Sequence, residues 1–100
     1  MNIEKVYSLI RLARKGRMLE IGKVAAKILM KRKRAYLVII AADVSDKLKR
    51  EIEIDCLRHS VPVYIFSTKS ELGELCGRES VATMAISDKN LAAGIKNHFS

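Results

Sequence analysis

Apolar positions along the chain switch repeatedly between helical and strand periods. Over residues 2–14, Ile3, Val6, Tyr7, Leu9, Ile10, Leu12 and Ala13 recur at helical spacing. Gly16 is expected to end this helix in the left-handed C′ position. Arg17–Glu20 reads as a short strand. From Gly22 to about Lys33 the period returns to 3.6. Val24, Ala25, Ile28 and Leu29 form the expected inward stripe, with Lys23, Lys27, Lys31 and Arg34 on the opposite face.

Tyr36 to Ala41 is a near-continuous β-branched and aliphatic run, which predicts a strand buried on both faces. Asp43 or Ser45 is placed to cap a helix over about 45–59, whose expected inner face is Leu48, Ile52, Cys56 and Leu57. Val61 to Phe66 predicts a second buried strand, with Pro62 tolerated only in its first positions. Thr68-Lys69-Ser70-Glu71 has the spacing of a capping box, and the helix it opens is expected to end at Gly77 in a left-handed conformation. Gly73 is expected to permit close packing within that helix. Val81 to Ile86 predicts a third strand, and Asp88 caps a last helix through Leu91, Ala92 and Ile95. Strands alternating with helices, too apolar for a one-sided sheet, predict an α/β fold. It is a three-layer α/β/α sandwich with a central mixed sheet of about four strands, formed by residues 1–100 as a single domain.

Charge adds what the periodicity does not show. The chain carries +8, yet residues 1–34 hold eleven Lys/Arg against Glu4 and Glu20, while residues 35–100 hold eight against nine. A basic third beside a neutral body is the footprint of a polyanion binder, because cations that neutralise phosphates release condensed counterions. Five aromatic residues and no Trp argue against a stacking platform for single strands. No apolar run reaches the length of a membrane span, and the N-terminus lacks an apolar signal region. Cys56 and Cys76 lack metal-ligand spacing and read as free thiols of a cytoplasmic protein.

No catalytic constellation stands out. There is no glycine-rich phosphate loop. His59 and His98 lie near predicted helix ends and read as solvent-facing. Glu51, Glu53 and Asp55 point in different directions around one helix and read as a solvated face. Ser67 and Ser70 have no histidine near in sequence. No enzyme activity, metal or cofactor is expected.

Four ordered segments carry a resemblance: Leu37 to Asp43, Val61-Pro62-Val63, Leu72-Gly73-Glu74-Leu75-Cys76-Gly77, and Val81 to Ile86. Together they resemble the kink-turn RNA-binding ribosomal proteins, the L7Ae/L30e/S12e/Gadd45 superfamily, over about residues 3–98. Leu12-Ala13-Arg14-Lys15-Gly16 and Ser87-Asp88 are similar to the small bacterial ribosome-associated members. The resemblance implies a three-layer fold without enzymatic activity. It also implies binding to a kink-turn, a sharply bent RNA duplex with tandem sheared G·A pairs. In the family the N-terminus of the second helix enters the widened groove, a Gly followed by a polar pair reads the guanines, and a later Lys contacts phosphate. A loop before the last strand packs on the extruded nucleotide.

Residue by residue, Gly22 takes the family glycine when the chain is aligned without gaps back from Leu37, and Val24 and Ala25 then stand at the guanine-reading pair. With Lys27 matched to the family lysine, Lys23 and Val24 stand there instead. Neither register supplies Asn-Glu, and Ala42 stands where many relatives have Glu. The loop Arg78-Glu79-Ser80-Val81 fits in length. The expected RNA-binding set is therefore Arg17, Gly22, Lys23, Val24, Lys27, Lys31 and Arg34, together with Arg78, Glu79, Ser80 and Val81. The expected role is non-enzymatic binding of structured RNA, ribosomal RNA or another kink-turn, by a monomeric ribosomal or ribosome-associated protein. The alternative is an adaptor of the same fold whose basic face meets an acidic protein.

Overall fold

The computed structural model describes residues 2–99. Helices start where the sequence offers an oxygen. Asn2, Ser45, Thr68 and Asp88 lie in extended backbone and accept from the amides of Lys5, Leu48, Glu71 and Leu91. They open α1 (Ile3–Lys15), α3 (Asp46–Arg58), α4 (Lys69–Leu75) and α5 (Lys89–Asn97). Asp43 caps no helix of its own. It reaches across to accept from the Lys69 amide at 2.8 Å, in the first turn of α4.

The remaining helix, α2 (Lys23–Lys31), follows the short strand β1 (Leu19–Ile21). Helices α1, α2, α3 and α4 end alike, each with a left-handed residue one past its C-cap: Arg17, Lys33, Ser60 and Gly77. At each, two backbone bonds close the last turn, as in Met18 N–H to Ala13 and Arg17 N–H to Arg14 after α1. This is the Schellman arrangement, which satisfies carbonyls the helix leaves open. Gly77 takes its expected conformation (φ 67°), but Gly16 does not. Gly16 is the C-cap itself with φ −84°, and the left-handed position falls to Arg17 at φ 58°.

Strands β1, β2 (Leu37–Ile40), β3 (Val63–Ile65) and β4 (Thr83–Ile86) form one sheet in the order β1-β4-β2-β3. β2 and β3 are parallel, whereas β4 runs antiparallel to both of its neighbours. Residues of β2 and β4 are buried throughout, as continuous apolar runs require in the middle of a covered sheet. Residues 61–66 were expected to behave likewise, yet β3 is an edge strand with Ile65 exposed. Hydrophobicity marks a strand, but its place in the sheet is set by pairing. Pro62 lies just before β3 and contributes its carbonyl to the Val38 amide.

Two cores flank the sheet. Val6, Ile10, Leu72, Leu91 and Ile95 of α1, α4 and α5 pack on Leu37, Ile39, Met84 and Ile86. On the other side, Ala26, Met30, Ile52 and Cys56 of α2 and α3 pack on Val38, Ile40 and Ala85. These are the three layers the strand–helix alternation predicts. The inner faces differ in part. Ala26 and Met30 take the buried stripe of α2, while Val24 is 70% and Ile28 44% exposed. On α3, Leu57 is 83% exposed. With every α2 position either apolar or basic, the periodicity admits more than one inner face, and packing chose the one with the small Ala26.

The sheet has two structurally distinct ends. At the upper end β1, β2 and β3 finish and α2, α3 and α4 begin. At the lower end those strands begin, β4 finishes, and α1, α2 and α3 terminate.

Candidate nucleic-acid interface

The upper end is organised by Gly22. Its backbone (φ 101°, ψ 159°) lies in a region that only glycine occupies without strain, and it turns the chain from β1 directly into α2. Its N–H bonds the Thr83 carbonyl at 3.0 Å, and its carbonyl accepts from Ala26 at 3.0 Å. Among the described residues no side chain caps α2, alone of the five helices. The first-turn amides therefore face outward unpaired, at the positive end of the helix dipole, which is the geometry that binds phosphate.

The loop after α4 comes to the same place. Arg78 N–H bonds Gly73 at 2.7 Å, and Val81 N–H bonds Lys69 at 3.0 Å. Gly73 is buried beneath this loop. A Cβ there would lie 2.8 Å from the Arg78 carbonyl oxygen and 2.8 Å from the Ser80 nitrogen. The close approach is thus between α4 and the loop rather than within the helix. Arg78, Glu79 and Ser80 are exposed, and the chain then runs through Ala82 to Thr83, the partner of Gly22.

Lys23 and Lys27 follow along α2 with exposed side chains. Lys23 Nζ bonds Glu51 Oε2 of α3 at 2.8 Å. That bond raises the Lys23 pKa and lowers that of Glu51. Glu51 is therefore no bare solvated acid but the local partner of Lys23. Lys27 and Lys31 have no ion-pair partner among the described residues. The three lysines line a groove of about 360 Å³ between α2 and α3 with Val24, Ile28, Glu51 and Asp55.

The structure brings together only part of the expected set. Gly22, Lys23, Val24, Lys27, Arg78, Glu79 and Ser80 share the upper end or the start of α2. Val81 does not join them as a contact residue: it is 1% exposed and belongs to the core, because it anchors the loop. Arg17 does not lie beside Gly22 either. It precedes β1 while Gly22 follows it, so the strand's full length separates them. Arg34 follows the end of α2 at the lower end, with Lys31 one turn before it. Helical spacing placed Arg34 on the lysine face, but α2 stops at Lys31, before reaching it.

A cluster of three hydrogen bonds escaped the sequence. Ser67, two residues past the end of β3, carries a positive φ of 66°. Its Oγ bonds Glu71 at 2.9 Å and the Tyr7 hydroxyl at 2.9 Å, and Tyr7 also donates to Glu71. Glu71 thus reaches Ser67 and α1 instead of closing a reciprocal capping box. The signal was the Ser-Thr-x-x-Glu spacing, but the partner, Tyr7, lies sixty residues away. The groups have no histidine among them, and the arrangement ties α1 to the start of α4.

No group of three or more His, Cys, Asp or Glu among the described residues is placed to hold a metal ion. None of the described helices is long and apolar enough to cross a membrane.

Comparison with known proteins agrees with this architecture. A protein of unknown function from Bacillus halodurans C superposes with a TM-score of 0.83 at 25% identity, over 92% of this chain and 97% of that one. The Giardia lamblia 15.5kD RNA binding protein superposes with a TM-score of 0.79 at 24% identity, over 98% of this chain and 89% of that one. A search of curated protein sequences finds no match. The family model for the ribosomal protein L7Ae/L30e/S12e/Gadd45 family matches residues 4–95. With the family model matched over nearly the whole length, the chain belongs to the ribosomal protein L7Ae/L30e/S12e/Gadd45 family.

Proposed function

We propose that this protein binds structured RNA of the kink-turn type through the start of α2, as a non-enzymatic ribosomal or ribosome-associated protein acting as a monomer in the cytoplasm. RNA binding in general is supported by the family and by the RNA-binding Giardia neighbour. The observation that carries the finer reading is the uncapped first turn of α2, set by Gly22 beside Lys27 and the exposed loop Arg78–Ser80. Unpaired amides and lysines take phosphate oxygens, and phosphate contacts position a protein on RNA without reading its sequence. Lys23 contributes less freely, since it must leave Glu51 to reach a phosphate.

Base reading is the weaker component. Val24 stands exposed in the first turn and has no group to bond a base edge. Backbone charge and the bent shape therefore dominate recognition. The test is a titration of an intact kink-turn RNA and a G·A-disrupted one at one salt concentration, followed by a salt series. The expected result is a difference smaller than the roughly 1–3 kcal/mol of one bidentate base contact. The Lys23→Gln/Lys27→Gln double variant should bind intact RNA more weakly, with a salt slope lower by about 2 units. An unchanged affinity in that variant refutes the site. Tight binding to an acidic protein with none to RNA would favour the adaptor instead.

A further inference from the structure

We propose that the lower end of the sheet is a second RNA-backbone contact surface, separate from the start of α2, so that one molecule can hold two RNA segments. The residues excluded from the first site converge here. Leu19 and Leu37 both pair with Ile86, which places the starts of β1 and β2 two strand spacings apart, about 10 Å. Ser87 N–H bonds Met18 and Tyr36 N–H bonds Ile86, so Arg17 and the Lys31–Arg34 run enter the sheet on either side of the end of β4. Val38 N–H bonds Pro62, which brings the end of α3, with Arg58, to the same edge. Arg17, Arg32, Lys33, Arg34 and Arg58 are all exposed.

The acids near this end are few and mostly engaged. Asp55 pairs with Arg58 at 3.6 Å, and Asp88 caps α5 by accepting from Leu91 at 2.8 Å. Glu20 lines a groove with Arg32. Arg17, Lys33 and Arg34 have no ion-pair partner among the described residues. A cation at a helix C-terminus complements the dipole, but the dipole amounts to about half a charge. Four consecutive cations over Lys31–Arg34 far exceed that.

Backbone conformation supplies a second observation. Arg17 and Lys33 both occupy the left-handed C′ position, where glycine is favoured and a long side chain is strained. At two of four equivalent turns the chain carries a cation in place of the better-fitting glycine, so charge at this edge is kept against local stability. An extended, predominantly positive surface with several arginines suits a phosphate backbone rather than a small anion.

The Arg17→Gly/Arg32→Gln/Lys33→Gly variant removes three of these cations, and both glycines relax the backbone, so loss of fold is not the expected confound; thermal unfolding checks this. Kink-turn RNA is immobilised and saturated with protein, and a labelled plain RNA duplex is passed over it. The wild-type complex should retain the duplex. The triple variant should bind immobilised kink-turn RNA within about twofold of wild type yet retain at least about tenfold less duplex. In free solution, its duplex salt slope should fall by 2–3 units. That titration reads the lower surface in the Lys23→Gln/Lys27→Gln protein too, so failure of the kink-turn site is distinguishable from failure of this one. Equal duplex retention by variant and wild type, or none by wild type, overturns the proposal. So does stronger retention of polyglutamate or of phosphatidylserine vesicles than of duplex.

Discussion

Two glycines in helix interiors should respond oppositely to the same substitution. Gly73 lies in α4 and Gly94 in α5. Replacing a helical glycine by alanine gains about 0.5–1 kcal/mol from backbone entropy and propensity. At Gly94 that gain stands alone, because the new Cβ would meet the Leu9 side chain, Cδ1 at 3.5 Å and Cδ2 at 4.0 Å, in ordinary contact. At Gly73 the Cβ would lie 2.8 Å from the Arg78 carbonyl oxygen, 2.8 Å from the Ser80 nitrogen and 2.9 Å from the Glu79 carbonyl carbon. All three are backbone atoms of a loop pinned at both sides by the Arg78–Gly73 and Val81–Lys69 bonds, so no side chain can swing away. Overpacking of this kind costs about 1–3 kcal/mol, which outweighs the propensity gain. Gly94→Ala should raise the Tm by a few degrees and Gly73→Ala should lower it, at about 4–8 °C per kcal/mol for a domain of this size. Urea unfolding followed by circular dichroism gives the free energies directly. Gly73→Ala should also weaken kink-turn binding, since it displaces Arg78–Ser80. A Gly73→Ala protein as stable as wild type would show that the loop does not rest on α4 as described.

Three further outcomes are expected. At the left-handed turns, Arg17→Gly and Lys33→Gly should each stabilise by about 0.5–1 kcal/mol, whereas Gly77→Val should cost 1 kcal/mol or more, all read from chemical denaturation. Burial and the bond to Glu71 raise the Tyr7 pKa, and bonds from Tyr7 and Ser67 lower that of Glu71. The Glu71 contribution is thus present above its unfolded value and lost as pH falls through the depressed one. The Tyr7 contribution is present below about pH 10 and lost as pH rises through its raised value. Tyr7→Phe should flatten stability at both extremes, and a pH series of Tm values in which it matches wild type would refute the linkage. Burial pushes the Cys56 thiol up to about 12, so Ellman's reagent at pH 8 should label it only after unfolding, and rapid labelling of the native protein would contradict its burial.

Local chemistry accounts for what was readable along the chain. Ser45, Thr68 and Asp88 cap the helices they precede, Gly77 takes the left-handed turn, and the runs around Leu37–Ile40 and Thr83–Ile86 become the covered strands. The caps, apart from the choice of Ser45 over Asp43, and the turn at Gly77 depend on neighbours within four residues, so sequence alone determines them, as it does the strand-forming runs, the layered α/β class and the concentration of positive charge in residues 1–34. What tertiary structure decided depends on groups far apart in the chain. Pairing order made β3 an edge, packing turned Val24 and Ile28 outward, and Asp43 found its amide on α4. Arg17, Lys23, Lys27, Lys31 and Arg34 belong to one expected RNA-binding set, but β1 runs the length of the sheet between Arg17 and Gly22 and divides that set in two. Periodicity fixes the direction of a side chain around its own helix or strand. The end of the sheet at which that element starts or stops is set by strand pairing, which local sequence does not encode.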